Sequence, residues 1–162
     1  MTAPFVTARG WLTYELAALV IVLDQASKYW ILNIYDLPAK GSTPILPIFS
    51  LSMVWNRGVS FGLFRADVDL ARWGLAVFSL VVAVALALWA RRNDRTLPAL
   101  ALGLVIGGAV GNLIDRVRFG AVVDFLDFSG LHFPWVFNLA DSGITVGVAL
   151  LLLDSVVGHR KA

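Results

Sequence analysis

The apolar residues of this chain are gathered into four long segments, which polar and aromatic residues separate. The segments cover approximately residues 11–32, 70–90, 97–114 and 139–157. Each is close to the roughly 20 residues that a helix needs to cross a hydrocarbon core of about 30 Å. Trp11 and Trp30 flank the first segment and Trp73 and Trp89 the second, as is usual for tryptophan at membrane interfaces. The pattern predicts a mainly α-helical membrane protein with four transmembrane helices.

The composition agrees with a chain whose solvent is lipid. Of its 162 residues, 59% are hydrophobic and 15% are charged, whereas soluble domains carry about 25% charged residues. The net charge of +2 is small and the basic residues form no stripe, which argues against a nucleic-acid partner. The absence of cysteine excludes disulfides, thiol nucleophiles and thiolate metal sites.

The first apolar segment is expected to remain in the mature protein. It runs through Asp24 to Leu32 without the small-residue cleavage site that ends a signal peptide. Four spans place both termini on one side of the membrane. Basic residues are denser in the short terminal segments and the short turn than in the longer loops, which favours cytoplasmic termini.

Two longer loops, approximately residues 34–69 and 116–137, lie on the other side. Residues 45–64 are rich in β-branched and aromatic side chains and are interrupted by Asn56-Arg57-Gly58, which predicts a strand, a turn and a second strand. We expect a small extracytoplasmic β-sheet on the membrane surface, which forms a cradle together with the second loop. Since no repeat or second domain is visible, residues 1–162 are predicted to be one integral-membrane domain.

Glycines recur at helical spacing in the last two apolar segments. They are Gly103, Gly107 and Gly111 in one segment and Gly143 and Gly147 in the other. Small residues at this spacing allow helices to approach closely in a membrane. We therefore expect both segments to pack tightly against neighbouring helices.

Two aspartates, Asp124 and Asp141, are the candidates for catalysis. Pro134 between them prevents a shared regular helix, but both ends of their loop lie at one interface. Two carboxylates in an apolar site do not easily ionise together, so the pair offers a base and an acid, as water-mediated amide hydrolysis requires. Each residue alone also fits a structural interpretation, Asp141 as part of a helix cap that begins at Asn138 and Asp124 as a solvated loop carboxylate.

Further polar side chains are predicted on the same membrane face. Asn112 and Arg116 are four residues apart and share a helical face, and a buried amide in lipid needs partners. Asp24 and Lys28 have the spacing of a helical ion pair. Asp115 and Arg116 can form an ion pair that anchors the end of their segment. These residues therefore fit either structural pairing or support of a site.

A metal site is the weaker alternative. Four aspartates offer oxygen ligands for a hard cation: Asp115, Asp124, Asp127 and Asp141. Their spacing matches no metal-binding loop. The isolated histidines His132 and His159 argue against zinc. We expect neither a metal nor a cofactor.

Two other classes of membrane protein also place aspartates in a membrane. A transporter or proton channel would more naturally carry charges near mid-membrane and show related halves, and proton flux in liposomes would support it. A structural or assembly factor would use the glycines for packing and the aspartates as anchors, but it leaves Asn112 and Asn138 without a purpose. Dispensable aspartates with retained partner binding would support that class.

Five motifs, in this order along the chain, resemble bacterial lipoprotein signal peptidase, also called signal peptidase II. They are Asp24–Lys28 (DQASK), Asn56–Gly62 (NRGVSFG), Gly107–Arg116 (GGAVGNLIDR), Val122–Phe125 (VVDF) and Phe137–Asp141 (FNLAD). Each motif alone is weak, whereas five in order within four spans are specific. The resemblance covers nearly the whole chain.

The resemblance implies an aspartyl endopeptidase of the bacterial cytoplasmic membrane. Such an enzyme cleaves the signal peptide from diacylglyceryl-modified prolipoproteins immediately before the lipidated lipobox cysteine. The resemblance places the catalytic pair on Asp124 and Asp141. Substrate-binding positions fall on Asn112, Arg116, Asn138 and Asn56, and supporting positions on Asp24, Lys28, Asp115 and Gly58.

The same resemblance sets expectations for partners and location. The active site would face the extracytoplasmic side, with both termini in the cytoplasm. Membrane lipids, lipid-modified substrates and globomycin-type inhibitors are the expected partners. We expect a monomer.

Overall fold

The computed structural model of the protein describes residues 5–58 and 68–158. Its helices are α1 (Ala8–Tyr29), α2 (Leu37–Lys40), α3 (Val68–Ala90), α4 (Thr96–Phe119) and α5 (Leu139–Gly158). Its strands are β1 (Ser42–Leu46), β2 (Phe49–Asn56), β3 (Val122–Asp127) and β4 (Val136–Phe137). A π-helical turn, Trp30–Ile34, continues α1, and a 3₁₀ turn, Ser129–Leu131, precedes β4. The prediction of a mainly helical protein with a small sheet is confirmed.

Four long helices form the body of the protein. In the described ranges, α3, α4 and α5 are long and apolar enough to cross a membrane. Helix α1 is of similar length, but polar residues such as Glu15, Asp24 and Lys28 interrupt its apolar run. Asp24 and Lys28 are at most 2% exposed because protein covers them. Helix α1 therefore keeps these two charges away from lipid, where they would be costly.

Helix α4 is the central helix of the body. It packs along α1, α3 and α5. In its apolar stretch 67% of the residues are buried, compared with 17% in α3 and 11% in α5. A methyl group on Gly107 would lie 2.6 Å from Cβ of Val20, and one on Gly147 would lie 2.7 Å from the carbonyl oxygen of Ala101. The predicted close packing at glycines is confirmed at both positions.

The four strands form one antiparallel sheet in the order β1-β2-β3-β4. Asn56, at the end of β2, pairs with Val122, and Val54 pairs with Asp124. An apolar cluster fixes the sheet against the π-helical turn and α2; its buried members are Ile31, Leu37, Leu51, Val123 and Phe125. The sheet thus holds β3 over the end of the helical body.

The sheet differs from the predicted strand, turn and strand around Asn56-Arg57-Gly58. The hairpin turn lies earlier, between β1 and β2, and the second neighbour of β2 is the distant strand β3. The prediction missed β1 because it contains Pro44, which an edge strand tolerates. The predicted second strand, Val59–Phe64, lies outside the described residues.

Helix α4 is also longer than its apolar segment suggests. The segment was predicted to end near residue 114, but the helix continues to Phe119, and Gly120 at φ 77° ends it. The predicted outer loop 116–137 therefore begins with the last turn of α4. Polar residues such as Asp115 remain helical because protein groups, not water, satisfy them.

Candidate active site

Asp124 and Asp141 reach the same site from distant parts of the chain. Asp124 is the third residue of β3 and is 1% exposed. Asp141 is half-buried in the first turn of α5. Strand β4 pairs with β3 and leads directly into α5. This short return brings the start of α5 back to β3.

Three asparagines hold the two carboxylates. Nδ2 of Asn138 donates to Oδ1 of Asp124 at 2.7 Å, and Nδ2 of Asn56 donates to Oδ2 of the same residue at 2.9 Å. Nδ2 of Asn112 donates to Oδ1 of Asp141 at 2.7 Å. All three donors are neutral, so they stabilise a carboxylate without supplying a positive charge.

Asn138 is the residue that links the pair. It is fully buried, and its Oδ1 accepts from the backbone N–H of Asp141 at 2.9 Å. In return, Oδ2 of Asp141 accepts from the backbone N–H of Asn138 at 3.3 Å. This reciprocal pattern is a capping box. The helix-cap interpretation of Asp141 is therefore confirmed, and the cap itself connects this residue to Asp124.

Burial raises the pKa of Asp124 to about 6. This value is a balance: burial and the negative charge of Asp141 raise the pKa, whereas the hydrogen bonds from Asn56 and Asn138 and the charge of Lys28 lower it. A carboxyl group that titrates there exchanges its proton near neutral pH. Perturbed pKa values of this kind are typical of acid–base sites. The expectation of a merely solvated loop carboxylate does not fit Asp124.

A buried ion group lies behind the pair and consists of Asp24, Lys28 and Asp115. Nζ of Lys28 lies 2.7 Å from Oδ2 of each aspartate. The predicted Asp24–Lys28 pair is confirmed. Sequence analysis had offered an ion pair of Asp115 with Arg116. Among the described ion pairs, Asp115 instead binds Lys28. The reason is that α1 and α4 pack closely enough for Lys28 to reach both carboxylates.

Gly58 and Arg116 lie beside the asparagines. The N–H of Gly58, at φ 76°, donates to Oδ1 of Asn56 at 2.8 Å. This turn orients the Asn56 amide so that Nδ2 faces Asp124. Half-buried Arg116 donates from Nη1 to the carbonyl oxygen of Asn112 at 3.4 Å. The ten predicted site residues thus lie around the Asp124–Asp141 pair or directly behind it.

Two cavities open on either side of the pair. The first, of about 450 Å³, reaches Asp124 and is lined by Val54–Gly58 and Pro134–Val136. The second, of about 310 Å³, reaches Asp141 and is mainly apolar; Phe133, Trp135, Phe137, Ser142, Thr145 and Val146 complete its lining. Trp135 lines both cavities.

Comparison with known proteins identifies the family. The family model for signal peptidase II matches residues 16–157. The chain belongs to the signal peptidase II family. It is therefore a peptidase by family, and its long apolar helices are those of a membrane protein.

Individual signal peptidase II relatives agree over nearly the whole length. The lipoprotein signal peptidase of Caulobacter vibrioides is 56% identical over 157 residues, which are 96% of this chain and 93% of the relative. That of Methylobacterium sp. strain 4-46 is 48% identical and covers 90% of this chain and 88% of its own. A bacterial membrane enzyme solved by the in meso method superposes with a TM-score of 0.73 at 26% identity, over 96% of this chain and 94% of that one.

The metal alternative finds no support in the described part of this signal peptidase II chain. There, no group of three or more acidic or histidine side chains is arranged to hold a metal ion. Asp127, one of the four proposed ligands, accepts a hydrogen bond from Oγ of Ser52 at 2.7 Å. This bond is the main cause that lowers the pKa of Asp127. His159 lies outside the described residues.

Three further residues lie around the site, and two of them, Arg72 and Trp135, were not predicted from the sequence. Gln25 donates from Nε2 to Asp115 Oδ1 at 3.0 Å and to Asp24 Oδ2 at 3.2 Å. Arg72 of α3 donates from Nε to the carbonyl oxygen of Arg116 at 2.7 Å, at the C-terminal end of α4. Trp135 lines both cavities. Gln25 belongs to the polar patch that the sequence indicates around Asp24 and Lys28, whereas no local pattern indicates Arg72 or Trp135.

Proposed function

We propose that the protein cleaves the signal peptide from diacylglyceryl-modified prolipoproteins immediately before the lipidated cysteine, with Asp124 and Asp141 as its catalytic pair. The observation that carries the proposal is the link through Asn138: its side-chain amide donates to a buried carboxyl of raised pKa, and its backbone N–H donates to the second carboxylate. Membership in a peptidase family favours this reaction over transport or assembly. Relatives of this chain are named lipoprotein signal peptidases, which supports the substrate class.

The two carboxylates take different roles in the proposed reaction. Asp124, with a pKa of about 6, carries the proton that the pair shares. Ionised Asp141 removes a proton from water, and the hydroxide attacks the carbonyl carbon of the scissile peptide bond. Asp124 donates a hydrogen bond to the carbonyl oxygen and then gives its proton to the leaving amine as the C–N bond breaks. Transfer of the proton from Asp141 back to Asp124 restores the enzyme.

The asparagines act mainly on the aspartates in this proposal. Nδ2 of Asn112 and Nδ2 of Asn138 both bond to a carboxylate of the pair. Binding of the substrate backbone then falls more on Arg116. A guanidinium has five N–H donors, and the hydrogen bond to Asn112 O uses one of them.

The two cavities suggest how the substrate lies. The apolar cavity next to Asp141 continues onto α5, where Val146 is exposed on the surface of the helical body. We assign it to the apolar residues that precede the scissile bond. The more polar cavity next to Asp124 would then take the chain beyond the cleavage point. Bound in this way, the substrate crosses between the two carboxylates under Trp135.

The same arrangement gives an orientation in the membrane. The opposite end of the helical body carries Arg91, Arg92 and Arg95 in a short turn. Because basic residues in short loops favour the cytoplasm, we place that end and both termini there. The site then faces the extracytoplasmic side, where globomycin-type inhibitors would compete with substrate. The protein acts as a monomer in this proposal.

A gel-shift assay tests the proposed function. Purified protein in detergent or lipid is mixed with a diacylglyceryl-modified prolipoprotein and, separately, with its unlipidated precursor. We expect cleavage of the lipidated form alone, and its loss in Asp124→Asn and in Asp141→Asn at unchanged folding. Asp127→Asn is the matched control, since Asp127 shares β3 but lies outside the pair, and it should remain active.

Two outcomes contradict the proposal. Cleavage that survives in either variant of the pair would exclude the two-aspartate mechanism. If the folded wild-type protein does not cleave the lipidated precursor, the result would favour a transporter or an assembly factor instead.

A further inference from the structure

The buried ion group is attached to the two segments of the predicted catalytic pair in the same way on both sides. Oδ1 of Asp24 accepts a hydrogen bond at 3.0 Å from the backbone N–H of Ala140, the residue directly before one catalytic aspartate. Oδ2 of Asp115 accepts a hydrogen bond at 3.1 Å from the backbone N–H of Val123, the residue directly before the other. Ala140 and Val123 are both fully buried. Their N–H groups therefore need protein acceptors, because water cannot reach them.

Lys28 connects these two attachments. Its Nζ lies 2.7 Å from Asp24 Oδ2 and 2.7 Å from Asp115 Oδ2, and it donates to Oδ1 of Asn112 at 3.2 Å. Because Lys28 binds the oxygen of the Asn112 amide, the amide nitrogen of that residue faces Asp141. Lys28 thus orients the carboxylates of Asp24 and Asp115, and it also orients the Asn112 amide that donates to Asp141.

Two further residues, Gln25 and Gly111, hold the buried ion group in place. Gln25 bridges the aspartates through Nε2, which also donates to the carbonyl oxygen of Gly111 at 3.2 Å. A methyl group on Gly111 would lie 2.6 Å from Asp24 Oδ2. The absence of a side chain there lets the Asp24 carboxylate lie between α1, α4 and the start of α5.

We propose that the buried ion group sets the separation and orientation of Asp124 and Asp141, so that Asp24, Lys28 and Asp115 are positioning residues for the reaction. This inference rests on the proposed function. Helix packing alone does not explain the group, because apolar side chains of similar volume often hold a fold together as well as a buried ion pair does. Apolar side chains, however, provide no acceptors for the two backbone N–H groups.

Matched substitutions at the two carboxylates test the proposal through activity. Asp24→Leu and Asp115→Leu keep the side chain of similar size but remove the acceptor. We expect kcat to fall about 100-fold at unchanged KM, as for a displacement of a catalytic group by about 1 Å. Asp24→Asn keeps one oxygen, which can bind the Ala140 N–H group or Lys28 but not both, because these two contacts use different oxygens of Asp24. In Asp115→Asn the remaining oxygen can keep both contacts, because Val123 N–H and Lys28 share Oδ2 of Asp115. The kcat of Asp24→Asn should therefore lie between the wild-type and leucine values, and that of Asp115→Asn should lie closer to the wild-type value.

Amide hydrogen exchange tests the same geometry without activity. Exchange at Ala140 and Val123, followed by NMR in detergent, should be slow in the wild-type protein. Asp24→Leu should accelerate exchange at Ala140 alone, and Asp115→Leu should accelerate it at Val123 alone. Lys28→Met should accelerate both, because Lys28 orients both carboxylates. Lys28→Arg retains the charge and serves if the methionine variant does not fold.

Asp154→Asn is the control for helix packing. It removes the charge and one of the two acceptors from the pair of hydrogen bonds, at 2.6 and 2.8 Å, between Asp154 of α5 and Arg95 at the start of α4. These contacts join the same two helices at their other ends. The variant should leave kcat and the exchange of both amides unchanged.

Two results would overturn the inference. One is wild-type kcat in a leucine variant whose amide exchanges rapidly, and the other is lost kcat with both amides still protected. If the leucine variants do not fold, kcat of Asp24→Asn decides, and a wild-type value there would contradict the inference. A wild-type enzyme that does not cleave the lipidated precursor contradicts the proposed function instead, and the exchange pattern still decides whether the ion group positions the two segments.

Discussion

The two ends of the helical body use charge in opposite ways. At the end under the sheet, Lys28 and its two aspartate partners are at most 2% exposed and bind one another and the backbone. At the other end, Arg95 and Asp154 form an ion pair in which the arginine side chain is 56% exposed and the aspartate side chain 14% exposed. The first arrangement is costly to desolvate, whereas the second costs little and contributes little.

The difference in burial of these charges indicates what each end of the helical body does. An exposed ion pair fits an anchor between helix ends, since water can replace either partner. A buried group whose every charge has a fixed partner permits one geometry only. The end with the buried group is also the end that carries the proposed catalytic pair, and we attribute the difference in burial to the precision that the reaction requires.

Removal of one charge at each end should give the largest contrast in stability. Lys28→Met leaves two buried carboxylates without their cation and should lower the free energy of unfolding by about 3–5 kcal/mol. Asp154→Asn should lower it by less than about 1 kcal/mol. Thermal unfolding of both variants in the same detergent measures the difference. Equal losses would mean that burial does not distinguish the two ends.

Two glycine-to-alanine changes should give a smaller contrast in stability. Gly111→Ala places a methyl group against Asp24 Oδ2 and should destabilise the protein by about 1–3 kcal/mol. Gly74→Ala in α3 meets no atom within 4 Å and should stabilise it by about 0.4–1 kcal/mol. Both are glycines inside long helices, so Tm values of the two variants separate crowding from helix propensity. A Gly111→Ala protein as stable as Gly74→Ala would show that the ion group tolerates displacement.

The helical body was largely predictable from sequence because long apolar runs determine both the length and the environment of a helix. The end of α4 was not, since Asp115 and Arg116 look like a boundary until their partners on other elements are known. The pairing of β2 with β3 was also hidden, because the two strands lie far apart in sequence and no local pattern specifies a distant partner.

The sequence indicated which residues form the candidate site but not how they are arranged. Ordered motifs single out Asn112 and Asn138, yet only the fold shows that their amide groups bind the aspartates. Likewise, the spacing of Asp24 and Lys28 predicts an ion pair within one helix. It does not reveal that Asp115 of another helix completes the group, because that contact depends on the close packing of α1 against α4.

The smallest effect that we predict concerns the pKa of Asp124 in the sheet above the buried end. Asn56 donates to the ionised form of this carboxyl and so lowers its pKa. Asn56→Leu removes the donor and should raise the pKa above its value of about 6. If Asp124 supplies the proton, kcat/KM of the wild-type enzyme falls as the pH rises above about 6, and this decline should move to higher pH in the variant.

Ser52→Ala is the matched control for this pH dependence. Ser52 also lies on β2 and donates to an aspartate of β3, but that aspartate is Asp127, outside the pair. Loss of this donor should raise the pKa of Asp127 and leave the profile of kcat/KM unmoved. A rate that rises with pH through about 6 would show instead that Asp124 must be ionised, which would exchange the roles of the two aspartates while keeping the pair. A decline that moves to lower pH in Asn56→Leu would exclude Asn56 as the donor that favours the ionised form.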